Sequence, residues 1–333
     1  MNRRELFLSL AGGGLAGCRP QSRDIRKLRV SLVPRFTLAP VYLADELGFF
    51  REERLAIEIL KLPETTRSIP LLAGGQLDVV FGTATPGFFN GVMRGARMKI
   101  VGSREVVVRG CGREGTVYGN RKAFPHGLDS VKLLAGKRVS VPSKTSVNHF
   151  FLDVLLESAG MTMADVRLLT LRPAEAAAAL VGGKIDALVY GSFENDIEFA
   201  SAGIVRGPCA ADLIEGLQYT FIFFGGALLE GDPAAGTGFL TAYVRGVREF
   251  MNGKEPRAFD QLARATRADP GSARAECRER LTRDGVVDRV SVQRFLDWGR
   301  KLGYVPSGGD AGNFIDDRFA EGARRRLERG KAG

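Results

Sequence analysis

The stretch Arg29-Val30-Ser31-Leu32-Val33-Pro34 returns later in the chain as Arg138-Val139-Ser140-Val141-Pro142. Each is a short β-rich run stopped by proline, followed by a polar loop and then a helical pattern. The helix after the first run covers Val41 to Leu47. The helix after the second runs from about His149 to Ser158 and is ended by Gly160. A second pair of segments repeats as well. Ile69-Pro70-Leu71-Leu72-Ala73-Gly74-Gly75-Gln76-Leu77-Asp78-Val79-Val80 matches Ala178-Ala179-Leu180-Val181-Gly182-Gly183-Lys184-Ile185-Asp186-Ala187-Leu188-Val189. In both, a helix ends at a glycine cap and a buried strand begins just after the Asp. Positions 29 and 138 lie 109 residues apart, and positions 78 and 186 lie 108 apart. Two elements at nearly one offset make one α/β lobe that occurs twice, in order. Alternating strands and helices predict mostly parallel sheets with helices on both faces. In such sheets a ligand sits beyond the carboxyl ends of the strands. Two facing lobes would leave a cleft, where small-molecule pockets collect, and a hinge would close them.

The chain has 333 residues, enough for two lobes of this kind. With 44% hydrophobic and 26% charged residues, disorder throughout is excluded. The formal charge is +10, and much of the excess is local. From Arg318 to Gly333, the bases Arg318, Arg324, Arg325, Arg326, Arg329 and Lys331 face only Glu321 and Glu328. This reads as the solvated face and frayed end of a last helix. Aromatics do not interleave with Lys and Arg, and zinc-finger spacing is lacking, so no nucleic-acid partner is expected.

Arg3 and Arg4 precede the apolar run Leu6-Phe7-Leu8-Ser9-Leu10-Ala11, and glycines follow to Gly14. That is the layout of a signal peptide over residues 1–17. The stretch is too short to span a bilayer as a helix. It closes on Leu15-Ala16-Gly17-Cys18, which resembles a bacterial lipobox with Cys18 as the lipidated residue. A multiply acylated Cys18 would hold the protein stably on a membrane. A plain signal peptide with an incidental cysteine is the alternative. The paired arginines also resemble a twin-arginine signal, and export by either route stays open. Cys111, Cys209 and Cys277 remain, none spaced for a metal site. An oxidising compartment would permit one disulfide, though spacing chooses no pair; otherwise each is a small buried thiol.

Loops between strand ends and helix starts should line the cleft. They are Arg35-Phe36-Thr37, then Gly82-Thr83-Ala84-Thr85 ahead of Pro86, then Ser143-Lys144-Thr145-Ser146, then Tyr190-Gly191-Ser192-Phe193-Glu194. Free N–H groups and the positive helix end there favour an anion or a polar acceptor. Thr85, Thr145 and Ser146 serve as helix caps, as ligand contacts, or as both. Arg35 and Lys144 follow the two matching prolines. They either clamp a sulfonate, nitrate or carboxylate or are solvated loop charges. Phe36, Tyr42, Tyr190 and Phe193 can stack on a planar ring, with core packing the better account of Tyr42. Glu194 either accepts from a ligand amine or is a first-turn acid favoured by the helix dipole.

These residues resemble a known family. Ala39-Pro40-Val41-Tyr42-Leu43-Ala44 with Glu46-Leu47-Gly48-Phe49-Phe50 is similar to the opening of the THI5/NMT1-like and nitrate/sulfonate/taurine solute-binding proteins. Leu72 to Asp78 with Gly82-Thr83 resembles their second signature. Leu133 to Val141 and Gly183-Lys184-Ile185-Asp186-Ala187 fit their second lobe. The resemblance runs from about Arg29 to Pro233 and weakens towards Phe319. It implies a type II periplasmic-binding fold, two Rossmann-like lobes joined by a hinge. Lobe one would be 27–103 plus 225–333, and lobe two 104–224. It implies ligand contact at the loops matching Thr83–Thr85 and Ser143–Ser146. It also implies a small-molecule solute and an ABC permease and ATPase as partners; the protein itself is expected to be a monomer, and its N-terminal signal places it on the extracytoplasmic side.

Signals for an enzyme are weak. Gly110-Cys111-Gly112-Arg113-Glu114-Gly115 satisfies G-x-G-x-x-G, but Thr116 to Asn120 reads as a strand where a dinucleotide site needs a helix. This segment is instead the crossover between lobes. With only His126 and His149 present, a histidine-based catalytic or metal cluster is scarcely possible. His126 sits in a turn; His149 faces the cleft or serves the helix surface or cap. No catalytic residue, metal or cofactor is expected. The same fold hosts the pyrimidine synthase of thiamine biosynthesis, whose cysteine-rich motif is lacking here. A receptor-type sensor would need a membrane-spanning or signalling segment, and none is read after Cys18.

Overall fold

The computed structural model describes residues 25–32, 36–62, 65–111, 113–190, 199, 202–253 and 278–329. The expected signal peptide and Cys18 lie outside them. Among the described residues, ten strands form two five-stranded sheets. Sheet one holds β1 (Arg26–Leu32), β2 (Leu55–Lys61), β3 (Val79–Thr83), β4 (Met98–Val106) and β10 (Gln218–Gly225), in the order β2-β1-β3-β10-β4. Sheet two holds β5 (Thr116–Asn120), β6 (Arg138–Val141), β7 (Arg167–Thr170), β8 (Ala187–Tyr190) and β9 (Ile204–Cys209), in the order β7-β6-β8-β5-β9. The repeat is realised strand for strand. β1, β2 and β3 pair in parallel, and β6, β7 and β8 do the same in their own sheet.

Two features differ from the sequence expectation. Each sheet takes one strand that runs against its neighbours: β10 beside β3 and β4, and β5 beside β8 and β9. These are the strands that begin at the crossings between lobes. A strand that enters a sheet from the edge where its neighbours finish must run opposite to them. For the same reason the return to lobe one comes before Gln218, not after 224, since the whole of β10 belongs to sheet one.

The matched Arg and Asp residues explain why the repeat is so regular. Asp78 Oδ2 accepts from the Arg29 backbone N–H at 2.8 Å and from Arg29 Nε at 3.1 Å, while Arg29 Nη2 donates to the Gly75 carbonyl at 2.7 Å. Asp186 Oδ2 accepts from the Arg138 N–H at 2.8 Å and from Nε at 3.1 Å, and Arg138 Nη2 donates to the Gly183 carbonyl at 3.1 Å. One carboxylate thus fixes the start of a strand and the glycine turn beside it, once in each lobe. The Arg138 hydrogen bond holds the Asp186 carboxyl below the usual aspartate value. A depressed carboxylate contributes stability above its unfolded value, near 3.8, and loses it as pH falls through the folded one.

Asp78 is the more buried of the two, with 8% of its side chain exposed against 17% for Asp186. Asp78→Ala should therefore cost about 1–3 kcal/mol through its orphaned strand N–H. Asp186→Ala should cost less, because water screens more of that pair. Urea unfolding of both variants at neutral pH checks the order; equal or reversed losses would contradict it.

Nine α-helices cover the sheets: α1 (Ala39–Glu46), α2 (Phe49–Glu52), α3 (Thr65–Ala73), α4 (Pro86–Met93), α5 (Val147–Ser158), α6 (Pro173–Val181), α7 (Pro233–Met251), α8 (Arg289–Lys301) and α9 (Arg318–Arg329), counted among the described residues. On one face of sheet one, α7 buries Phe239, Tyr243, Val247 and Phe250 with α1 and α9 beside it. On the other face Phe88 and Phe89 of α4 meet Phe223 and Phe314. That second core continues without a break into lobe two, through Phe150, Phe151 and Leu155 of α5. The helix that bridges it is α8. Phe295 lies 4.6 Å from Phe150 between ring centroids, and Lys301 Nζ lies 2.9 Å from Asp153 Oδ2.

Candidate ligand cleft

The carboxyl ends of β3 and β6 each lead into a helix with a capped N-terminus. Thr85 accepts from the Phe88 N–H at 3.4 Å and starts α4, with Pro86 in the first turn. Ser146 accepts from the His149 N–H at 3.4 Å, starts α5, and donates to the Ser143 carbonyl at 2.7 Å. Both caps leave further backbone N–H groups at the positive end of a helix. The two ends meet one element. Gly299 of α8 is placed so that a Cβ there would lie 3.8 Å from Pro86 Cγ. The neighbouring Trp298 packs its ring 5.6 Å from His149, in the first turn of α5. The starts of α4 and α5 therefore both pack against α8.

Of the predicted site residues, Thr83, Thr85, Ser143, Lys144, Thr145 and Ser146 lie at these strand ends and helix starts. Thr83 ends β3, and its N–H donates to Thr65 Oγ1 at 3.2 Å. Thr145 Oγ1 lies 3.5 Å from Ser143 Oγ, and Lys144 is exposed. Tyr190 ends β8 and is half-buried, in register with Thr116. Phe36 opens a single 3-10 turn ahead of α1. Arg35, Phe193 and Glu194 lie outside the described residues. Thr37 does not stand open at the cleft surface: it is buried, and its hydroxyl accepts from Arg104 Nη1 at 3.0 Å.

Thr37 leads into a buried ionic network that sequence reasoning missed. Arg104 and Glu105 leave β4 together, with Arg104 Nη2 2.5 Å from Glu105 Oε2. Thr220 of β10 donates to that same oxygen at 2.9 Å. The Tyr219 hydroxyl lies 3.2 Å from Glu105 Oε1 and 3.0 Å from Oε1 of Glu114, just ahead of β5. Arg280 closes the ring, donating to Tyr219 Oη at 2.6 Å and to Glu105 at 3.2 Å, and pairing with Glu114. Both crossings between the sheets are tied here to the first cleft loop. Burial pushes the Glu105 carboxyl up, but Arg104, Arg280 and the Thr220 hydrogen bond outweigh it and hold it below the ordinary glutamate value. Burial also drives the Tyr219 phenol well above its usual value, so it stays a donor.

A family model described as NMT1/THI5 like matches residues 35–255. The chain belongs to the NMT1/THI5-like family. A Brucella abortus (strain 2308) protein described as a binding protein is 21% identical over 257 residues, covering 74% of this chain and 76% of its own. Among solved structures, the alkanesulfonate-binding protein SsuA of Xanthomonas axonopodis pv. citri, bound to MOPS, aligns at a TM-score of 0.70 and 18% identity. That alignment covers 88% of this chain and 99% of SsuA. The periplasmic nitrate-binding protein NrtA of Synechocystis PCC 6803 aligns at 0.72 and 13%, covering 92% and 90%. At such identities these structures establish the fold. The resemblance read from Ala39–Phe50 and Leu72–Thr83 and the two-lobed periplasmic-binding architecture are both borne out.

Cys111, Cys209 and His149 of this NMT1/THI5-like chain can be placed in the structure. Cys209 is a free thiol, its pKa raised by burial, and Thr116 Oγ1 lies 3.3 Å from its sulfur. Cys111 is disulfide-bonded, so the buried-thiol reading fits Cys209 and not Cys111. Among the described residues no cluster of three His, Cys, Asp or Glu side chains could hold a metal. No described helix is long and apolar enough to cross a membrane. His149 is neither a surface group nor a cap. It is buried, and Nδ1 lies 2.7 Å from the Lys144 carbonyl oxygen.

Proposed function

We propose that this protein is an extracytoplasmic binding protein that captures a small anionic or heterocyclic solute and hands it to an ABC permease and ATPase. Sulfonate, taurine, nitrate or a pyrimidine are the candidate classes. The observation that carries this reading is the pair of capped helix N-termini, at Thr85 and Ser146, one in each of two lobes of one design and both packed on α8. Such ends offer backbone N–H groups to an acceptor without a compensating carboxylate. Relatives described as binding alkanesulfonate or nitrate support it. The protein acts as a monomeric receptor rather than an enzyme. In the sequence, Leu15-Ala16-Gly17-Cys18 supports a lipid anchor through Cys18.

A thermal-shift panel of alkanesulfonates, taurine, nitrate and pyrimidines tests the binding role. A true solute at a hundred times its Kd should add about 2.7 kcal/mol of stability by mass action. For a chain of this size that is a rise of roughly 5 °C in Tm. If no solute raises the melting temperature, the reading fails.

A further inference from the structure

Trp298 is the only tryptophan in the chain, and it stands on α8 where that helix bridges the two lobes. Its neighbours come from three places. His149 of α5 is 5.6 Å away between ring centroids in an edge-on arrangement, Phe150 is 5.7 Å away, and Tyr304 beyond α8 is 6.1 Å away. Tyr304 is tied to lobe one, because its carbonyl accepts from Asn90 Nδ2 of α4 at 2.8 Å. The cluster thus lies between the starts of α4 and α5, beside the Ser143–Ser146 loop.

Its hydrogen-bond capacity is not used up. Trp298 Nε1 and His149 Nε2 are both buried and both lack a partner. The state of the imidazole follows from its other nitrogen. A carbonyl oxygen only accepts, so Nδ1 carries a hydrogen towards Lys144, and in the neutral ring Nε2 then holds a lone pair. Burial lowers the His149 pKa and favours that neutral ring, although Asp153 and the Lys144 carbonyl pull the other way. Lys301 bonds Asp153 and Glu157 on the same face of α5 and occupies those carboxylates. One unpartnered donor and one unpartnered acceptor therefore sit in one aromatic cluster beside the start of α5.

We propose that Trp298 and His149 form a wall of the ligand pocket and receive a ligand edge that carries an acceptor beside a donor, as a carboxamide or an aminoheterocycle does. This rests on the binding-cleft reading above and narrows it. A bare oxyanion satisfies the indole N–H but leaves the imidazole lone pair unmet. Trp298 and Tyr304 travel with α8, so a ligand held there links α4, α5 and α8 and favours the closed lobes.

The sole tryptophan gives a direct readout. Emission from Trp298 is followed while the full chain is titrated with cytosine, 4-amino-2-methylpyrimidine and nicotinamide, and separately with methanesulfonate and nitrate. At least one of the first set should shift the emission and raise the melting temperature. Trp298→Phe keeps the ring but loses the N–H, and should weaken that probe about ten-fold, the usual worth of one hydrogen bond with its desolvation. His149→Asn keeps a donor for the Lys144 carbonyl and loses the acceptor, with a similar loss expected. His149→Gln places an acceptor near Nε2 and should recover part of it, which a merely structural role would not produce. Binding of methanesulfonate or nitrate alone, or unchanged affinity in Trp298→Phe and His149→Asn, would overturn this inference and leave the binding role standing. If no probe of either set binds, both fall.

Discussion

Glu105→Gln should destabilise the protein by about 3–5 kcal/mol, the usual cost of leaving buried charge unpaired. The carboxylate is buried and holds Arg104, Arg280, Tyr219 and Thr220 together. An amide there keeps the shape but leaves Arg104 without its carboxylate partner, and the Arg104 Nε already lacks one. A second variant separates charge from packing. Arg104→Met combined with Glu105→Met removes both charges and should cost less than Glu105→Gln alone. Acid should shrink the difference between wild type and Glu105→Gln. The folded carboxyl lies below its ordinary value, so its contribution is complete above the unfolded value near 4.5 and is lost as pH falls through the folded one. Urea unfolding at pH 7 and at acid pH reads both effects. A loss under 1 kcal/mol at pH 7, or a difference that grows in acid, would refute the account.

That network also shows where sequence reasoning stops. Its partners are far apart in the chain: Glu105 and Thr220 are separated by 115 positions, and Arg280 and Glu105 by 175. No local pattern joins them. The repeat was legible because its Arg–Asp pair is a local device, spanning 49 positions in lobe one and 48 in lobe two, and because it occurs twice. Thr85 and Ser146 were legible as caps, since an N-cap needs only its own helix. Thr37 was read as a cleft residue from its place after a strand; its bond to Arg104 was not legible, because Arg104 comes from β4, at the far edge of the sheet. His149 was read as facing the cleft or serving the helix surface or cap, and its burial against Trp298 was not legible because its α5 neighbours cannot announce that ring. A sheet taken from one lobe alone would also lack β10, which only the returning chain supplies.

Gly246→Val should unsettle the first lobe and weaken solute binding with it. Gly246 lies in the middle of α7, where helix propensity alone would favour almost any other residue by up to about 1 kcal/mol. Here α1 decides the matter. A Cβ on Gly246 would stand 2.3 Å from the Pro40 carbonyl oxygen and 2.9 Å from Ala44 Cβ. The first of these is backbone, so no rotamer change can relieve it, and α1 must move off α7. Overpacking of this kind costs about 1–3 kcal/mol, and more when the obstacle is main chain. Gly246→Ala tests the balance most sharply, because its propensity gain and its clash oppose each other; the clash should win. Gly87, on α4, is the control: a Cβ there meets only Thr85 Oγ1, at an ordinary 3.7 Å. Gly87→Ala should change stability by less than about 1 kcal/mol, in the stabilising direction. Because α1 follows directly from Thr37, its displacement pulls on the Arg104 bond and on the first cleft loop. The Gly246 variants should therefore lose solute affinity in proportion to their loss of stability. If Gly246→Ala proved as stable as Gly87→Ala, the close seat of α1 on α7 would not be what positions that loop.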